Sequence, residues 1–313
     1  QFVFELTNAA IGSENTIVVT GARANVSRLA VGPGQSFGEA TIEAFPSISR
    51  DIRDIIRIDP RVSLDRSNEV DRVSCLGGND RTNAFTVDGI SQSDLFGLNG
   101  TPFASRNSLP LPYDAVRETS VEFAPFDVQY GQFTGCAINV VTQSGQNDFH
   151  GSAFFTYTSD SLQGETADGV DFSASPYKEK RWGATLGGPI IPDRLFFFGA
   201  YEETDLGDSF QFGPAGEGFP NEVNFVTTEQ FNQFSQILGD TYGIESGGLP
   251  RNLAESSKRY FGRIDAYITD DHRLEATYQR LEEENVESDD FSNNSNIFTG
   301  LNSFEQEGTE SDY

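Results

Sequence analysis

Positive charge is scarce in this 313-residue chain: 21 Lys and Arg stand against 48 Asp and Glu, a formal net charge of −27. That balance excludes nucleic acid as a partner, because phosphate binding rests on clustered Lys and Arg, and no basic run offers a local exception. Long apolar runs are missing too. The fullest clusters, Leu195–Phe198 and Ala137–Val141 broken by Asn139, fall far short of the roughly 18 consecutive apolar residues of a spanning helix. Methionine is absent and no charged-then-apolar leader follows Gln1, so a signal peptide is expected to have been removed or to lie outside the sequence. Neither His-Glu-x-x-His nor the phosphate-cradling Gly-x-x-x-x-Gly-Lys occurs. Only 36 % of residues are hydrophobic, yet there are 27 Phe and 31 Gly. A disordered acidic chain is poor in aromatics, so this composition points to many short strands joined by polar loops.

Three stretches differ in kind. Residues 1–35 carry an alternating start (Phe2, Phe4, Leu6) and a β-branched run, Thr16-Ile17-Val18-Val19-Thr20, before Gly32-Pro33-Gly34 breaks structure. The run reads either as a strand of a preceding domain or as a strand available to another protein's sheet edge. Residues 36–147 read as a small mixed domain. Ile48, Ile52, Ile55 and Ile56 predict a helix over 47–56 with Ser47 as its cap, ended by Pro60. Strands are expected at 72–75, 83–90, 116–123 and 137–142, with Asp88-Gly89 as a turn.

From residue 148 onward the pattern becomes strands of about ten residues, each with one apolar and one polar face. In 258–269, Tyr260, Gly262, Ile264, Ala266 and Ile268 oppose Arg263, Asp265 and Thr269; Leu274, Ala276 and Tyr278 oppose Glu275, Thr277 and Gln279. Trp182, Ala184, Leu186 and Gly188 likewise oppose Arg181, Gly183, Thr185 and Gly187, and 149–158 and 195–204 complete the set. The connections run long (159–179), short (191–194), long (205–257), short (270–272), long (285–308). Long loops at one end and tight turns at the other are the order of an outer-membrane barrel. A soluble sandwich has no reason for it. Five strands and the start of a sixth at 309–313 would leave two bare edges, which a bilayer does not tolerate. The barrel is therefore expected to be incomplete in this chain.

Taken together these segments resemble the TonB-dependent outer-membrane receptors, and within them the Oar-like group. The likeness is carried by Thr16–Gly21, by Gly77–Ile90 and Leu111–Val116, by Ala124–Gly135 leading into Asn139–Gly145, and by Leu186–Ile191 followed by Leu195–Gly199. It implies an α+β plug domain followed by the first strands of a large antiparallel transmembrane β-barrel. The divisions are 1–12, the tail of a carboxypeptidase-regulatory-like domain; 13–35, the TonB box and linker; 36–147, the plug; and 148–313, the wall. It further implies a Gram-negative outer-membrane location with the plug toward the periplasm. TonB and its inner-membrane energising complex would pair with the box at Thr16, Ile17, Val18, Val19 and Thr20 and displace the plug. Outer-membrane lipid and an extracellular ligand, a surface lipoprotein or a peptide among the candidates, complete the partners. Ligand contacts are expected at a plug apex containing Asp94, Phe96, Asn99, Arg106 and Asn107. Two alternatives remain: a surface adhesion or signalling protein built on a plugged barrel, and the protein or peptide export associated with some Oar-like relatives.

Cys75 and Cys136 form an even pair, which in an exported protein favours a disulfide over two buried thiols. In the chain-entropy account a bridge across that span constrains the unfolded chain by about 4 kcal/mol. His150 and His272 have no ligand partner at helical spacing, so no metal is expected. The tract Glu282–Asp290 lacks the order of a calcium loop and reads as a solvated extracellular loop. Ser175-Pro176-Tyr177-Lys178 matches Ser-x-x-Lys without companions. The chain reads as a non-enzyme without a cofactor. Phe231, Phe234, Leu238 and Tyr242 lie near helical spacing within 228–242 and are expected to pack as one stripe.

Overall fold

The first half builds β1 (Gly34–Gly38), α1 (Glu39–Ala44), α2 (Arg53–Ile56), β2 (Val62–Asp65), β3 (Arg72–Cys75), β4 (Ala84–Val87), β5 (Ile90–Ser91), β6 (Val116–Phe123) and β7 (Cys136–Thr142). The computed structural model describes residues 34–45, 47, 49–66, 71–94, 103, 105, 109–123, 134–162, 164, 166–167, 169–171, 177–210, 212–219, 221–249, 252–287 and 305–313. Five strands form one mixed sheet in the order β1-β6-β7-β4-β5, in which β4 and β7 run parallel; β2 and β3 pair only with each other. Phe85, Val121, Phe123, Ile138 and Val140 point from the sheet into a core closed by Ile52, Ile55, Ile56 and Val73, all essentially without solvent contact. The β4–β5 hairpin turns on Asp88 (φ 48°) and Gly89 (φ 84°). Two successive positive φ values are what a two-residue hairpin loop of this hand demands, and Asp-Gly meets them at low cost.

The helix expected over 47–56 is confined to Arg53–Ile56. The Ser47 hydroxyl accepts from the Asp51 amide at 2.9 Å and donates to Asp54 at 2.8 Å, and the Asp51 carboxylate accepts from the Arg53 amide at 2.8 Å. Side chains thus take the bonds that a longer helix would close through its backbone, and Arg50, at φ 54°, breaks the helical path. Helix α1 arises earlier, in a stretch without a clear apolar period.

The second half builds β8 (His150–Ser159), a small hairpin of β9 (Thr166–Ala167) and β10 (Val170–Asp171), then β11 (Lys178–Ile191) and β12 (Leu195–Ser209). There follow β13 (Phe212–Pro214), β14 (Asn221–Val223), α3 (Thr228–Ile237), β15 (Asn252–Thr269), β16 (His272–Glu287) and β17 (Glu305–Asp312). Six of these strands form one open antiparallel sheet in the order β17-β16-β15-β12-β11-β8. Its strands outrun the expected ten residues: β15 has 18 and β16 has 16. Glu282, Glu283, Glu284 and Glu287, expected in a solvated loop, stand in β16. Cross-strand pairing accounts for this, since Lys258 faces Glu282 in register and Arg280 bridges Glu282, Glu310 and Asp312.

The 228–242 stripe divides. Thr227 caps α3 with its side chain accepting from the Gln230 backbone amide, while the Gln230 side-chain oxygen accepts from the Thr227 backbone amide. Phe231 is buried with Phe210, Phe219 and Val286. Phe234 and Tyr242 stay exposed; at Leu238–Tyr242 the backbone widens into a π turn, which shifts Tyr242 off the helical face.

Candidate functional site

The six-stranded wall has two faces of opposite character. Outward point Phe155, Trp182, Leu186, Ile264, Leu274 and Tyr278, with Phe155 68 % and Ile268 62 % exposed. Trp182, Tyr201 and Tyr260 form a row across three neighbouring strands, with ring centroids 5.0 and 4.9 Å apart. From Tyr260 to Ile268 the strand travels about 26 Å at its usual rise. That is close to the roughly 25 Å apolar band, edged by aromatic girdles, of outer-membrane barrels. A contiguous apolar face of this extent is foreign to a surface that meets water.

The inward face meets the globular half through Phe198, Ala200 and Phe261, which join its apolar core, and, among the described residues, through three polar clusters. In the first, Glu202 of β12, 1 % exposed, accepts from Arg50 Nε at 3.1 Å, from Arg259 Nη2 of β15 at 3.2 Å and from the Tyr113 amide at 2.9 Å. Arg50 also pairs with Asp114 at 2.7 Å and lies flat on the Phe154 ring of β8 at 3.4 Å. Burial pushes the Tyr113 phenol up to about 12, so it stays a neutral donor here. In the second, the Asp88 carboxylate accepts from the Thr142 amide (3.0 Å) and hydroxyl (2.6 Å), and Arg263 of β15 donates to the same hydroxyl at 2.9 Å. Arg263 is itself held by Asp265, two bonds at 2.9 and 3.1 Å, and by Glu275. In the third, the amides of Gln92 and Gln279 exchange bonds at 2.8 and 3.0 Å, and Gln279 donates to the Pro110 carbonyl.

Where the chain passes from β7 to β8 the backbones nearly touch. A Cβ on Gly145 would sit 2.3 Å from the Phe197 carbonyl and 2.9 Å from that of Gly188. Only glycine fits there. Asn147 and Asp193 tie the same region to the first short turn, exchanging bonds at 2.7 and 2.8 Å.

Of the residues expected to act, Thr16, Ile17, Val18, Val19, Thr20, Phe96, Asn99, Arg106 and Asn107 lie outside the described residues. Asp94 is described; it follows the Ser93–Phe103 bridge and acts electrostatically on the Tyr313 phenol. Cys75 and Cys136 are joined by a disulfide, with Cα atoms 5.9 Å apart. Glu202, Arg259 and Gln279 were not singled out by the sequence as contact residues; their signal is a charged or amide side chain on the strand face opposite the exposed apolar one. Gly34-Gln35-Ser36-Phe37-Gly38 spells Gly-x-Ser-x-Gly. Ser36 is not a nucleophile elbow, since it lies mid-strand opposite Ser120 and its hydroxyl donates to Glu118.

Residues 141–212 match the family model described as "Outer membrane beta barrel domain". The TonB-dependent transporter Oar of Myxococcus xanthus is 27 % identical over 217 residues, covering 64 % of this chain and 18 % of its own length. The chain is homologous to the TonB-dependent outer-membrane receptors. The ferrienterobactin receptor of Escherichia coli K12 is 26 % identical over 237 residues, covering 68 % of this chain and 29 % of its own. The outer membrane transporter YddB of Escherichia coli shares the fold at a TM-score of 0.57 with 13 % identity, over 82 % of this chain and 33 % of that one. The chain spans less than a third of the length of these curated relatives. Its homologues are transporters and receptors, which points to a non-enzymatic role. They place it in the Gram-negative outer membrane with its globular half, the plug, toward the periplasm.

Proposed function

We propose that the chain is the plug and first wall strands of a TonB-dependent transporter. It is divided at 12, 35 and 147 into a domain tail, the box and linker, the plug and the wall, with further strands closing the barrel. TonB pairs with the segment Thr16–Thr20 and displaces the plug, admitting an unidentified extracellular ligand that meets the plug at Asp94, Phe96, Asn99, Arg106 and Asn107. The observation that carries this reading is the two-faced wall: apolar side chains outward, and inward a grip on the plug in which hydrogen bonds and ion pairs surround a small apolar patch of Phe198, Ala200 and Phe261. A polar grip exchanges bonds with water when it opens, so its net cost per bond is about 1 kcal/mol. A greasy interface of equal area would hold far harder.

Strand addition draws its affinity from the backbone ladder, and proline removes a donor from that ladder. Val18→Pro in the full-length receptor is expected to reduce capture by the periplasmic domain of TonB to background and to abolish energised uptake. Val18→Ala is expected to keep most of both. Undiminished capture by the proline variant would overturn the box.

A further inference from the structure

Cys75 divides the plug into a stretch with few backbone ladders to the central sheet and a stretch that forms that sheet. Before Cys75, β1 is an edge strand paired to β6 by five residues, and β2 and β3 form a separate two-stranded sheet among the described residues. Ion pairs in this stretch run largely within it: Arg53–Asp51, Arg57–Asp54, Arg61–Asp59, and Arg66 with Asp54 and Asp71. Arg50 reaches out to Glu202. Removing 34–74 therefore leaves the sheet β6-β7-β4-β5 with its remaining ladders whole. Among the described residues, the other hydrogen bonds and ion pairs to the wall, from Asp88, Gln92, Pro110, Tyr113, Asp114 and Thr142, lie beyond Cys75.

The disulfide joins the last residue of β3 to the first residue of β7, which stands between β6 and β4 in the middle of that sheet. Tension arriving along the chain from the N-terminus reaches Cys75 and crosses the sulfur bridge into β7. It does not enter residues 76–135. We propose that the Cys75–Cys136 disulfide is a mechanical stop that limits plug unravelling to residues 34–74. The source of the pull rests on the TonB reading above; the stop itself does not. The space vacated includes the one Arg50 fills against Phe154 and Glu202, the carboxylate it shares with Arg259, so the passage opens along the inner face of β8, β12 and β15.

The test is single-molecule force spectroscopy on the full-length receptor in a lipid bilayer, pulled through a handle on its N-terminus. With the disulfide intact, the first extension from the plug is expected to end after about 140 Å, the reach of 34–74 at about 3.4 Å per residue. After reduction of the assembled protein with a phosphine, it is expected to run to about 350 Å, through residue 135. The double variant Cys75→Ser with Cys136→Ser should match the reduced protein, and reduction in place keeps the test decisive if that variant fails to fold. An equal first extension in the oxidised and reduced forms, short or long, overturns the stop. Because the handle replaces TonB, that result leaves the box untouched, and failed capture by TonB leaves the stop untouched.

Discussion

Glu202 concentrates the plug–wall contact in one carboxylate that accepts two guanidinium bonds and a backbone amide while 1 % exposed. Removing one partner of a buried pair leaves a charge without compensation, at a cost of about 3–5 kcal/mol. Glu202→Ala strands Arg259, itself 1 % exposed, and is expected to destabilise the plug by that amount. Glu202→Gln, which retains an acceptor for the Tyr113 amide, should cost less. Denaturant unfolding of the full-length receptor in detergent, followed at the plug, checks the order; an alanine variant as stable as wild type would contradict it. Gly145→Ala meets main-chain oxygens that cannot swing aside, and a lower yield of assembled receptor in outer-membrane fractions is expected. The inward direction of Arg263 and Asp265 was legible from alternation alone. That Glu202 joins Arg50 and Arg259 was not, because the partners are 152 and 57 positions away and only strand register brings them together.

At the scale of elements, alternation revealed the wall strands, and β-branched runs revealed β3, β4, β6 and β7 within a residue or so. Strand ends were misjudged because charged residues were read as loop, whereas the backbone ladders carry β15 and β16 well beyond the apolar band, with Lys258 opposite Glu282 and Arg280 bridging Glu282, Glu310 and Asp312. The 47–56 helix was over-read because Ser47, Asp51 and Asp54 bond to one another's side chains and backbone locally. Those same bonds make the 34–74 layer sensitive to acid. Burial pushes the Asp54 carboxyl up, but hydrogen bonds from Ser49 and Ser47 and the guanidiniums of Arg66 and Arg57 outweigh it and hold it below the ordinary 3.8. The hydrogen bond from Arg61 likewise outweighs burial at Asp59 and lowers it. A lowered carboxylate contributes stability that is complete above its unfolded value and is lost as pH falls through its folded one. Acidification below pH 3.8 is thus expected to raise hydrogen exchange in 51–66 before β4, β6 and β7, once rates are corrected for intrinsic pH dependence. Simultaneous loss across the plug would contradict this.

At the scale of the whole molecule, a chain with a net charge of −27 and 36 % hydrophobic residues places its apolar side chains in the plug core, in a small cluster around Phe210, Phe219, Phe231 and Val286, and on the outward face of a sheet whose inward face grips that plug. The architecture therefore hangs on which face of β15 meets lipid. A nitroxide scan along 259–268 of the full-length receptor in bilayers measures it directly, through collision with oxygen, which concentrates in lipid, and with a water-soluble nickel complex. The account predicts a period of two, with oxygen access high at 260, 262, 264, 266 and 268 and low at 259, 261, 263 and 265. High nickel access at the even positions, or no alternation, would contradict it.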